Sequence, residues 1–150
     1  MSKIIAAILF IWAGLLLGVS FVATPAKFLA PSLPLAQALD VGRWTFHVLA
    51  RIEWGFVALV AILLAVARLL GRQRIGLTAG LLIAIGILLA AQSFYLRPPL
   101  DGRVLRIMAG ETVAPGHMHT LYIAFEAIKL ALLLAAGIVG LRRLGDPIRA

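Results

Sequence analysis

Cysteine is absent from all 150 residues, which excludes disulfides, thiolate metal sites, cysteine-held iron–sulfur clusters and thiol nucleophiles. Acidic residues are scarce, six against fourteen lysines and arginines, and only 13% of the chain is charged. Residues 4–26 and 75–96 contain no Asp, Glu, Lys or Arg at all. There is no glycine-rich phosphate loop, no serine-nucleophile elbow and no carboxylate-rich metal motif, so no metal site is expected.

What remains is apolar. The chain is 63% hydrophobic with a mean hydropathy of +1.06, against roughly 45–50% apolar usage in soluble domains. This composition predicts an integral membrane protein: an all-α, four-helix transmembrane bundle making up one domain over residues 1–150. The spans fall at about 4–24, 45–70, 75–96 and 119–141, each close to the roughly twenty residues needed to cross a hydrocarbon core. The net charge of +8 flanks these runs. It is therefore read as topology signal and headgroup contact, with no nucleic-acid role.

Between the spans the chain changes character. Thr24-Pro25 is expected to end the first helix, and residues 27–42, punctuated by Pro31, Pro34 and Asp40, read as an interfacial loop with a short surface helix. Residues 97–116, with Pro98-Pro99 and Asp101-Gly102, read as a second long connection. The middle connection is short and basic, with Arg72 and Arg74. Four spans put both termini on one side; lysines and arginines are close to evenly divided between the two sides, and their density around the short middle connection assigns that side to the cytoplasm of an inner or plasma membrane. Gly14 and Gly18, like Gly76 and Gly80, have the spacing that lets helices approach closely, either inside the bundle or across a dimer, so an oligomer is possible.

The polar residues inside the spans mark the candidate site. His119, Tyr122, Glu126 and Lys129 fall on one stripe of the fourth span. An unpaired charge in hydrocarbon costs roughly 2.5–3.5 kcal/mol, so such groups face a protein interior, a wet cavity or each other. In the second span His47, Arg51 and Trp54 share a stripe, while Glu53 points to another side. Arg51 lies about 6 Å below His47 and Glu126 about 10 Å below His119, which matches them in depth for an Arg51–Glu126 contact. Tyr95 and Arg97 leave the third span on the same side. Together with Ser20, Thr24, Gln92 and Ser93, these residues predict a polar, funnel-shaped pocket at the outer end above an apolar plug. The plainer alternatives are that Glu126 and Lys129 neutralise each other, that Arg51 snorkels to headgroups, and that the tyrosines are belt or packing residues.

Three short stretches carry a family likeness. Thr24-Pro25-Ala26-Lys27-Phe28, Tyr95-Leu96-Arg97-Pro98 and His119 at the start of the fourth span resemble the small four-helix membrane proteins related to transmembrane protein 205. Pro25, Phe28, Arg97, Pro98 and His119 are the positions that correspond, whereas Glu126 and Lys129 match nothing in that pattern. The resemblance implies a fold and a membrane location rather than a reaction. A looser likeness, in size and four-span layout only, is to anthrone-oxygenase-like membrane proteins, and no residue is transferred from it.

The leading expectation is a binding, carrier or accessory-subunit role, in the lipid bilayer, for a small amphipathic molecule or a partner membrane helix. The competing expectation is an enzyme acting on a lipid-soluble quinone or phenolic, with His119, Tyr122 or Glu126 as acid or base and Arg51 steering an anion. A third is a b-type haem protein using His47 and His119. The sequence names no cofactor.

Overall fold

The computed structural model describes residues 2–71, 76–114 and 116–142. The expected connection bases Arg72 and Arg74, and Arg143 and Arg149 of the tail, lie outside them. Four helices are long and apolar enough to cross a membrane: α1 (Lys3–Leu29), α2 (Leu35–Leu69), α3 (Gly76–Met108) and α4 (Met118–Arg142). No strand occurs among the described residues.

These helices are longer than the expected spans, and the two long connections are shorter. α2 starts at Leu35, directly after Pro34, and runs unbroken through the segment expected to be loop. α3 passes through Pro98-Pro99 and stops only at Met108. Proline lacks an N–H, and its ring collides with the carbonyl four residues earlier. The chain meets that constraint identically in two places. Leu17–Ala23 is a π-helical stretch and Pro25 follows in the next turn; Ala91–Leu96 is another, followed by Pro98. The wider turn shifts hydrogen bonding to more distant carbonyls and relieves the ring, so the helix continues where a proline was expected to end it. Helix ends are set instead by glycine: Gly71 (φ 62°) and Gly110 (φ 85°) adopt left-handed conformations just past α2 and α3.

The interior is apolar at one end and polar at the other. Ile5, Leu9, Trp12, Ala13 and Leu16 of α1 pack with Val60 and Leu64 of α2, Leu82 and Ile85 of α3, and Leu133 and Ala136 of α4. The α1–α4 contact is the most extensive because glycine lets the backbones close: a Cβ on Gly140 would lie 3.2 Å from that of Ala6, and one on Gly137 would meet the Phe10 ring at 2.8 Å. Gly14, Gly18, Gly76 and Gly80 do the opposite. They are exposed with nothing within 4 Å, which corrects the reading that they pack helices within the bundle. The outer surface is aliphatic, with Ile11, Ile62, Ile83 and Ile87 all exposed, as hydrocarbon requires.

Candidate functional site

Three charged residues, Glu53, Glu126 and Lys129, are buried inside the bundle. Lys129 of α4 is fully inaccessible, and its ammonium donates to both carboxylate oxygens of Glu53 on α2, each at 2.8 Å. The same ammonium lies 3.0 Å from Glu126 Oε1, one turn earlier on α4. Trp12 Nε1 of α1 donates to Glu53 Oε1 at 3.2 Å while its ring stacks on Phe56. Gln92 Nε2 of α3 donates to Glu126 Oε1 at 2.8 Å and to the Tyr122 carbonyl at 3.2 Å. Ser20 Oγ of α1 completes the set, donating to Glu126 Oε2 at 2.9 Å. All four helices therefore meet in one network of two carboxylates and one ammonium. The π-helical stretches supply Ser20 and Gln92, so the turns that accommodate the prolines also aim the two neutral donors at Glu126.

Above this network lies a cavity of about 700 Å³, at the end of the bundle where the α1–α2 and α3–α4 connections run. Leu35, Leu39, Phe46, Leu100, Val104 and Ile107 form apolar walls. Lys27, Arg43, Arg97, Arg103 and His119 contribute the polar lining, and Asp101 is its one carboxylate among the described residues. Arg43 bonds Asp40 at 2.7 Å, and Asp101 bonds His47 at 2.7 Å. Lys27, Arg97 and Arg103 have no carboxylate partner among the described residues. Gly42 gives the Lys27 ammonium its room, since a Cβ there would collide with Nζ. Ser20 and Tyr122 line the cavity as well. Ser20 thus connects cavity and charge network.

The structure sorts the residues that the sequence grouped together. Glu53, Glu126 and Lys129 join in the network, with Tyr122 beside it. Arg97 and His119 line the cavity, and His47 stands next to it, bound to Asp101. Arg51 joins neither. It is exposed, and the Arg51–Glu126 contact does not form. The buried line of α2 runs through Ala50, Glu53, Val60 and Leu64, and Arg51 sits about 200° around the helix from Glu53. Glu53, expected to face elsewhere, takes the inward position. Tyr95 is 71% exposed and points away from both cavity and network. Trp12 is not legible in the sequence as a site residue, as an indole in an uncharged span gives no sign of the carboxylate it meets.

Comparison with known proteins yields one relationship. The family profile described as "Domain of unknown function (DUF4149)" matches residues 7–103, and no curated protein and no solved structure matches. The matched stretch carries Trp12, Ser20, Glu53 and Gln92, and it ends before Glu126 and Lys129. It takes in more than half of the chain, which therefore belongs to the DUF4149 family and is a small membrane protein of that uncharacterised family.

Proposed function

We propose that this protein binds a small amphipathic anion in the cavity, as a carrier or as an accessory subunit. One observation carries the reading: a cavity of about 700 Å³ has apolar walls and three cations, Lys27, Arg97 and Arg103, with no carboxylate partner among the described residues. Apolar walls with a few convergent polar groups suit a ligand of mixed character. Cations in a low-dielectric setting favour a charged carboxylate or phosphate head over a neutral one. The bases near the other end of the bundle support a cavity opening on the outer face of an inner or plasma membrane, with both termini cytoplasmic. The likeness to proteins related to transmembrane protein 205 belongs to the same proposal, with Pro25 and Pro98 in matching positions after the two widened turns.

The test is calorimetric titration of decyl sulfonate into protein in zwitterionic nanodiscs. Lys27→Gln combined with Arg103→Gln is expected to weaken binding about tenfold, or about 1.4 kcal/mol. Unchanged affinity, or no binding by the parent protein, overturns the reading.

A second reading, an enzyme for a lipid-soluble quinone or phenolic, draws support from Ser20 and Tyr122: both line the cavity, Ser20 Oγ donates to Glu126, and the Tyr122 backbone carbonyl accepts from Gln92. Turnover of a soluble short-chain quinone, lost in Tyr122→Phe while decyl sulfonate binding is retained, is the result that distinguishes it.

A further inference from the structure

Glu53, Glu126 and Lys129 are 1%, 2% and 0% exposed, and two carboxylates share a single ammonium. With all three ionised the network is left with one uncompensated negative charge in a buried setting, a costly state that a buried carboxylate escapes by taking up a proton. The two carboxylates are not equivalent. Glu53 receives two bonds of 2.8 Å from Lys129 and a third from Trp12. Glu126 receives neutral donors, from Gln92 and Ser20, and the more distant contact with Lys129. Glu126 is also the carboxylate next to the cavity. Ser20 and Thr24 are one helical turn apart on α1 and both line the cavity. Thr24 Oγ1 and Gln92 Oε1, on either side of Ser20 and Glu126, are buried and have no hydrogen-bond partner among the described residues. A hydroxyl such as Ser20 both donates and accepts, so it donates to the Glu126 carboxylate and accepts from the carboxylic acid without moving.

We propose that Glu126 is a proton-binding site, loaded from the cavity through Ser20, whose occupancy is linked to that of an anion in the cavity. The linkage rests on the anion-binding reading of the cavity; the proton site itself does not. The titratable and charged groups of the network and of the cavity above it come from every helix. Glu53, Arg43 and His47 lie on α2; Lys129, Tyr122 and His119 share α4; Lys27 lies on α1; Arg97, Asp101 and Arg103 lie on α3. Of these only Glu53 is a second carboxylate inside the network, and Lys129 holds it. Protonation of Glu126 removes negative charge from beneath the cavity. It therefore favours an anion there, and by reciprocity the anion favours the proton.

The chain has only three glutamates, Glu53, Glu111 and Glu126, and Glu111 lies on the surface beside Arg106. Infrared difference spectroscopy with carboxyl-labelled glutamate therefore reads the site directly. The intact protein in nanodiscs is expected to show a protonated glutamate carbonyl band that is lost on raising the pH. The band should persist in Glu111→Gln and disappear in Glu126→Gln. In Ser20→Ala, which keeps both carboxylates, it should shift in frequency through loss of a hydrogen bond. No pH-dependent glutamate band in the parent, or a band unmoved in Ser20→Ala, overturns the proton site even if Glu126→Gln fails to fold. For the linkage, decyl sulfonate, ionised throughout, should bind about tenfold more tightly to the parent at low pH. Binding that is equally tight at every pH overturns the linkage, and absence of binding overturns the anion reading while the infrared result still decides the proton site.

Discussion

The ammonium of Lys129 bonds both carboxylate oxygens of Glu53, each at 2.8 Å, across 76 residues of sequence. This pair, rather than the neighbouring Glu126–Lys129 contact of 3.0 Å, ties α2 to α4 inside the bundle. It makes Lys129 the member on which both carboxylates depend.

Replacing Lys129 leaves the Glu53 carboxylate buried without its ammonium and takes the same contact from Glu126, whereas neutralising Glu126 leaves one balanced pair. Lys129→Met is accordingly expected to lose about 3–5 kcal/mol of stability. Glu126→Gln, which keeps a polar amide in place, should lose about 1 kcal/mol. Unfolding in mixed micelles against increasing sodium dodecyl sulfate measures both. A Glu126→Gln variant as damaged as Lys129→Met would disprove the assigned pairing.

The glycines divide into two classes with opposite tolerance. Gly140→Val places carbon against Ala6, where a Cβ is already 3.2 Å away, and should cost about 1–3 kcal/mol. Gly18→Ala projects into open space and should stay within about 0.5 kcal/mol of the parent. Equal sensitivity at the two positions, in the same unfolding assay, would contradict the α1–α4 packing.

Asp101 is the one carboxylate lining the cavity among the described residues. Asp101→Asn removes its repulsion and should tighten decyl sulfonate binding about threefold or more, an effect that shrinks as salt is added. Its ion pair with His47 is partly exposed on both sides, at 25% and 22%, so stability should change by no more than about 1 kcal/mol. Weaker binding in this variant would place the anion elsewhere.

Orientation in the membrane is read by cysteine labelling, since the chain has no cysteine of its own. Ser32→Cys and Thr112→Cys both lie at exposed positions in the two cavity-end connections. They should react with an impermeant maleimide in intact cells, and Gln73→Cys should not. The reverse pattern inverts the proposed topology.

Fold class was legible in the sequence because burial in lipid demands long uninterrupted apolar helices, and four such runs stand out in 150 residues. The polar stripe of α4 was legible for a related reason, as Tyr122, Glu126 and Lys129 contrast with everything around them. Tertiary structure alone decided which way α2 turns. A helix in water shows its buried face by being apolar there, but a helix in lipid is apolar on both faces. Nothing local therefore showed that Glu53 faces inward and Arg51 outward, and the choice fell to the one ammonium, Lys129, that needed a partner across the bundle. The same ambiguity hid the glycines, whose spacing is identical whether they meet a helix or lipid. Helix lengths were not legible at Pro25 and Pro98 because proline forbids one hydrogen bond, while the neighbouring turns decide whether the helix breaks or widens. Here they widen, and in doing so bring Ser20 and Gln92 to Glu126, a convergence between residues 106 and 34 positions apart in sequence that only the packed bundle produces.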